Sequence, residues 1–140
     1  MRAIDRLLSE ARDRLVRVDA ATAAEAMRQG ALLVDTRPVA QRRRDGEIPG
    51  ALIIDRNVLE WRLGPDSPHR VAELTSAEQT VILLCNQGYA SSLAAATLKQ
   101  LGLVNATDLV GGFEAWAAAG LPVQPMGRDG DGRPGPGGAA

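Results

Sequence analysis

Apolar positions along this chain follow two spacings. Four short runs are apolar almost without interruption: residues 31–35, 51–55, 81–85 and 106–110. Runs of this length with no polar alternation are those of strands buried on both faces. Between them the apolar residues recur at helical spacing. Ile4, Leu7, Leu8, Ala11 and Leu15 mark a helix over 4–15, with arginines and acids between. Thr22 and Glu25 have the spacing of a capping box and predict a helix start. That helix is expected to stop at Gly30. Further helical segments are expected over 38–44, over 57–63 with Asn57 as cap, and over 69–74. The longest follows at 91–101, capped by Ser91 or Ser92 and closed by Gly102, and the last at 113–119, closed by Gly120 and Pro122. Residues 46–50, 64–68 and 86–90 read as turns and loops.

Apolar strands alternating with helices predict an α/β fold: a small, mostly parallel sheet with helices on both faces. Ligands of such sheets bind beyond the C-terminal strand ends. Three of the predicted strands end on Asp35, Asp55 and Cys85, which points to one site there.

Composition narrows the picture. The chain has 140 residues, the size of one domain. Its residues are 45% hydrophobic but only 3% aromatic, so the core must be aliphatic. A net charge of −1 argues for neither nucleic acid nor an anionic membrane as partner. The run Arg42-Arg43-Arg44 is answered by Asp45 and Glu47 and reads as a solvated helix end. The charged N-terminus lacks the apolar stretch of a secretion signal, and no run approaches a membrane span. With a single cysteine, a reduced cytoplasmic location is expected. Cys85 and His69 cannot make a four-ligand zinc site, and no metal or cofactor is expected. His69 reads as exposed or helix-capping.

The chemistry centres on Cys85, which ends a strand about six residues before a helix. If the intervening loop curls back, its backbone N–H groups converge on the sulfur and the helix N-terminus adds partial positive charge. Both favour thiolate over thiol. Gly88 would permit the backbone turn. Spacing alone leaves a second reading open, that of a buried structural cysteine.

The segment Cys85-Asn86-Gln87-Gly88-Tyr89-Ala90-Ser91 resembles the rhodanese loop, Cys-x-x-Gly-x-x-Ser followed by an Ala-rich helix. Other elements fall in rhodanese order. Asp35 and Arg37 resemble the first-strand signature. Residues 46–51 resemble Gly-His-Ile-Pro-Gly-Ala, with Glu47 in place of the histidine. Residues 110–113 with Trp116, Gly120 and Pro122 resemble the C-terminal signature. The resemblance covers roughly residues 18–123 and divides the chain into an N-terminal helical extension (1–17), a rhodanese-like domain (18–125) and a disordered Gly/Pro-rich tail (126–140).

The resemblance implies a sulfurtransferase. Cys85 would take a sulfane sulfur from a small donor, thiosulfate or a mercapto acid, and pass it from a persulfide to a thiol or cyanide. Asn86, Gln87, Gly88, Tyr89, Ala90 and Ser91 would hold the anionic donor. Asp35 and Arg37 would pair with each other or with neighbours and fix the pocket floor, and Trp116 would be core. Many thiosulfate-using members carry arginines at the positions of Asn86 and Ala90. Here Arg56, which follows the second strand, and Arg62 are the candidate replacements. Two other readings compete: a non-catalytic binding module, and a relay that receives persulfide sulfur from a protein donor. A phosphatase of this fold needs arginine six residues after the cysteine. That residue is Ser91, so this reading is rejected.

Overall fold

The computed structural model describes residues 1–127. Residues 128–140, which hold nearly all of the tail expected from composition, lie outside the described residues. In chain order the elements are α1 (Ala3–Asp13), α2 (Ala20–Arg28), β1 (Leu32–Asp35), α3 (Val39–Asp45), β2 (Leu52–Ile53), α4 (Leu59–Leu63), β3 (Val81–Leu84), α5 (Ala90–Gln100), β4 (Ala106–Asp108) and α6 (Gly112–Ala118). A 3-10 turn, Arg56–Val58, leads into α4.

The four strands form one parallel sheet in the order β2-β1-β3-β4. β1 and β3 are central, and all four residues of β3 are buried. Successive residues of a strand point to opposite faces, and the two apolar clusters obey this. Val34, Val81 and Leu83 pack with Leu59, Leu63, Ala94, Ala95 and Leu98 of α4 and α5. Leu33, Ile82 and Leu84 pack with Ala20, Ala23, Ala24, Phe113 and Trp116 of α2 and α6. Burying one such leucine or isoleucine contributes about 1.5–3 kcal/mol. The α/β architecture with helices on both faces is therefore as the apolar runs predict. Among the described residues no helix is long and apolar enough to cross a membrane.

The N-terminal segment is tied to this body. α1 lies against α5, and Val18 then runs beside β4: its N–H donates to Asp108 and its carbonyl accepts from Val110. Thr107 Oγ1 donates to the Val16 carbonyl at 2.8 Å. At the other end, Glu47 and Gln124 exchange both backbone hydrogen bonds.

Several local expectations are corrected. α2 is capped not by Thr22 with Glu25 but by Asp19, whose carboxylate accepts from the Thr22 N–H at 2.8 Å. Glu25 instead bonds Arg28 and Gln29. The cap before α4 is Asp55, which accepts from the Asn57 N–H at 2.7 Å, rather than Asn57 itself. The predicted strands over 51–55 and 106–110 shorten to two and three residues. No helix forms over 69–74. Those residues make turns, fastened where the Val71 N–H donates to the Arg62 carbonyl and Arg62 Nη1 donates to the His69 carbonyl. Arg42 is not a solvated helix end. It is buried and pairs with buried Glu47 at 2.7 Å, while Arg43 and Arg44 are exposed.

Hydrogen bonds from the Thr22 side chain and backbone hold the Asp19 carboxyl below the usual carboxylate range. A carboxyl depressed by folding contributes stability that is full above its unfolded value and is lost as pH falls through the folded one. Asp19→Ala is therefore expected to lower the melting temperature at neutral pH, with the difference from wild type shrinking on acidification below about pH 4. Thermal melts across pH check this, and a difference independent of pH contradicts it.

Candidate active site

Cys85 directly follows β3, and the chain turns back before entering α5 at Ala90. The Gly88 N–H points at the sulfur with 3.2 Å between N and Sγ, and the Ser91 N–H with 3.4 Å. Ser91 lies in the first turn of α5, where backbone N–H groups lack a partner within the helix. The sulfur takes one of them. N–H groups aimed at Sγ stabilise negative charge on it.

The loop that carries these donors is fixed from outside through its carbonyls. The Cys85 carbonyl accepts from the Phe113 N–H at 2.8 Å and the Asn86 carbonyl from the Glu114 N–H at 3.1 Å, both at the start of α6. The Gly88 carbonyl accepts from Arg12 at 2.7 Å and Arg17 at 3.0 Å. Contact with α6 is close enough to require glycine at two positions. A Cβ on Gly112 would lie 2.5 Å from the Cys85 carbonyl oxygen, and one on Gly88 would lie 2.7 Å from the Gly111 nitrogen. Gly88 also has φ +87°, which side chains disfavour.

Below the loop sits the carboxylate of Asp108, 0% exposed. It accepts from Ser91 Oγ at 2.7 Å, from Ser92 Oγ at 2.8 Å, and from Arg17. This corrects the expected role of Ser91 and Ser92. Neither caps α5, which starts after Tyr89 with no side-chain cap. Ser91 has a second consequence. Its Oγ lies 3.4 Å from Sγ, and a hydroxyl has one proton to give. While that proton goes to Asp108, the thiol must donate to Ser91. Once the sulfur is an anion, the hydroxyl is free to turn and donate to it, because Ser92 and Arg17 still hold Asp108.

The sulfur opens on a cleft of about 370 Å³, lined by Thr36, Arg37, Pro38, Gln41 and Arg56 together with Cys85, Asn86, Gln87, Tyr89 and Ala90. Of the three strand ends expected to meet here, Cys85 reaches the cleft, whereas Asp35 and Asp55 do not line it. Asp35 is buried under it, gripping Arg37 at 2.8 Å with both side chains 0% exposed. Arg37 also donates to the Gly46 carbonyl and lies 3.8 Å over the Phe113 ring. Its Nη1 is buried without a hydrogen-bond partner among the described residues. Arg56 lines the cleft but is engaged, with Nη1 2.9 Å from both carboxylate oxygens of Glu60. Arg62 does not line it. The Asn86 and Gln87 amides turn to Glu114, each 3.2 Å from Oε2. Tyr89 is exposed at the rim. Glu47, which stands where the resembled family has histidine, is bound to Arg42 away from the cleft.

Four residues of this site escape a reading of the sequence: Arg12, Arg17, Asp108 and Glu114. The two arginines join the Gly88 carbonyl across 76 and 71 positions of chain. Asp108 interrupts an apolar strand, the one local signal that it had a partner to meet.

The chain is similar to known proteins over most of its length. The family model of the Rhodanese-like domain matches residues 19–119. A sulfurtransferase from Allochromatium vinosum is 35% identical over 92 residues, covering 66% of this chain and 77% of the relative. The thiosulfate sulfurtransferase GlpE from Haemophilus influenzae is 30% identical over 100 residues, covering 71% and 85%. Among solved structures, a Rhodopseudomonas palustris protein of unknown function, described as a possible tyrosine phosphatase, superposes with TM-score 0.79 at 31% identity. The match covers 89% of this chain and 96% of that one.

The crowding at Gly88 yields a direct test. Gly88→Ala is expected to lower the unfolding free energy by roughly 1–3 kcal/mol and to slow reaction of Cys85 with a neutral alkylating agent. Denaturant unfolding and alkylation rates measure the two effects. Wild-type values for both would show that the loop tolerates a Cβ and is not held as described.

Proposed function

The chain belongs to the rhodanese-like family, with sulfurtransferases among its relatives, and from that premise we propose that it moves a sulfane sulfur through a persulfide on Cys85. The observation that carries the reading is the pair of N–H groups, from Gly88 and Ser91, aimed at Sγ beneath an open cleft.

The reaction has two displacements. The Cys85 thiolate attacks the outer sulfur of the donor. The new S–S bond forms as the donor's own bond to that sulfur breaks, and the leaving group departs with the electron pair, as sulfite when the donor is thiosulfate. Cys85 is then a persulfide anion. An acceptor nucleophile, a thiolate or cyanide, next attacks the terminal sulfur, and the Cys85 thiolate leaves. Charge stays on sulfur throughout, so the inward N–H groups serve ground state, intermediate and transition state alike. Donors fixed before the reaction need no reorganisation during it. Gly88, Ser91 and the rest of the 86–90 loop hold the anion. Arg56 would meet an anionic donor at the cleft wall on exchanging Glu60 for it. Arg37 at the cleft floor and Asp35 beneath it act as a buried ion pair that ties the end of β1 to Phe113 of α6.

A phosphatase reading has no support here. The loop of residues 86–91 holds no arginine to grip phosphate bidentately. A relay that accepts sulfur from a protein donor is favoured by a specific feature. The loop is uncharged and Glu114 sits at its edge, so nothing in it selects a small dianion.

Incubating the protein with thiosulfate, and separately with mercaptopyruvate, should add one sulfur to wild type and none to Cys85→Ser, read by intact mass. Cyanide should then release thiocyanate and restore the original mass. No adduct from either donor would sink the small-donor reading and leave the protein relay.

A further inference from the structure

The back of the sulfur loop is built by a part of the chain that precedes the family match, which begins at residue 19. Arg12 sits in the last turn of α1, and Arg17 in the segment between α1 and α2. Arg12 donates from Nη2 to the Gly88 carbonyl at 2.7 Å and from Nε to Ser92 Oγ at 3.1 Å, and it lies 5.6 Å over the Tyr89 ring. Arg17 donates from Nη2 to the same carbonyl at 3.0 Å while its Nε meets Asp108 at 2.8 Å. The Arg17 side chain is 17% exposed and that of Asp108 0%.

We propose that Arg12 and Arg17 are positioning residues for Cys85, anchoring Gly88 by its carbonyl so that this residue's own N–H, and the Ser91 N–H that follows, stay on the sulfur.

The geometry of a peptide makes this specific. In a trans peptide the C=O and the following N–H lie on opposite edges of one rigid plane. Turning the Gly88 carbonyl toward the arginines turns the Tyr89 N–H the other way and fixes the rotation of the residue whose own N–H meets the sulfur. Gly88 is the one loop residue free to rotate at low cost, since it has no Cβ. Without the two guanidinium groups, nothing else on that side matches their strength. Ser92 Oγ is 3.4 Å from the carbonyl and has a shorter bond to Asp108 at 2.8 Å. Hydrogen bonds from a charged donor are roughly twice as strong as neutral ones. The pair also supplies charge. Arg17 is paired with Asp108, while Arg12 meets the Gly88 carbonyl, Ser92 and the Tyr89 ring, which sets its positive charge behind a loop whose residues 86–91 carry none.

The test uses the full-length protein and a neutral alkylating agent, iodoacetamide, at one fixed pH. Its rate on Cys85 separates positioning from a merely structural role, because loosening the fold exposes the thiol and speeds alkylation, whereas loss of the inward N–H groups slows it. Arg12→Gln and Arg17→Gln are each expected to slow alkylation by about three- to tenfold. Arg12→Lys should recover most of the rate. Arg28→Gln, which removes the same charge from an exposed pair remote from the loop, should leave it unchanged. Arg17→Gln also strips a buried carboxylate of its cation. If that variant does not fold, Arg12→Gln, which leaves Asp108 paired, decides alone. Unchanged or faster alkylation in folded Arg12→Gln overturns the proposal, as does equal slowing in Arg28→Gln. The inference rests on the Cys85 sulfur-transfer reading only for its purpose. A wild type that forms no persulfide defeats that reading, while the alkylation rates still decide this one.

Discussion

Three carbonyl groups of the sulfur loop, those of Cys85, Asn86 and Gly88, are each held by a donor from outside the loop. A loop of this size has few ways to place its peptide planes, and this constraint chooses among them. The start of α6 takes two of the carbonyls and the N-terminal segment takes the third. Within the loop so held, the N–H groups of Gly88 and Ser91 meet the sulfur. Much of the rest of the chain serves that arrangement. Gly88 and Gly112 let α6 approach within contact of the loop. Phe113 is wedged under Arg37, and Trp116 fixes the far end of α6 by donating to the Pro122 carbonyl at 2.9 Å. The parallel strands β3 and β4 deliver Cys85 and Asp108 to the same end of the sheet.

The site differs from a simple cationic anion hole. Its charges are paired. Arg37 is neutralised by Asp35, Arg17 by Asp108 and Arg56, at the cleft wall, by Glu60, and the N–H groups aimed at Sγ are backbone. Backbone N–H groups stabilise a modest, diffuse negative charge such as that of a thiolate or persulfide, without the strong attraction for a free dianion that exposed arginines bring. Ser91 fits the same logic. Its hydroxyl can accept from a thiol or donate to an anion while Asp108 keeps its other partners.

How far the sequence reaches follows from the range of the contacts. The strands were legible because burial on both faces leaves an uninterrupted apolar run, and the helices around them because their apolar faces recur at helical spacing. Gly88 was legible because a turn in so short a loop needs it. Helix ends were less so. Asp19 and Thr22 both suit a cap, and the alanine-rich stretch between them accepts either start, so the earlier and stronger acceptor prevails. The segment after Pro68 reads as helical from its residue types, yet it is drawn into turns by tertiary bonds to Arg62. Arg42 reads as one of three surface arginines, and only its position opposite Glu47 in space buries it. Arg12, Arg17 and Glu114 were invisible for the same reason. Each acts on a loop far away in sequence, and a charged residue on a helix carries no mark of whether it faces solvent or a distant carbonyl.

The central claim, that a loop anchored by its carbonyls keeps N–H groups on the sulfur, is tested most directly by a crystal structure of the protein with Cys85 persulfidated by polysulfide. The account predicts the terminal sulfur within hydrogen-bond distance of N–H groups from residues 86–91, with the Gly88 carbonyl still bound to Arg12 and Arg17. A Gly88 peptide flipped so that its carbonyl faces the sulfur, or a terminal sulfur lying away from the loop, contradicts it.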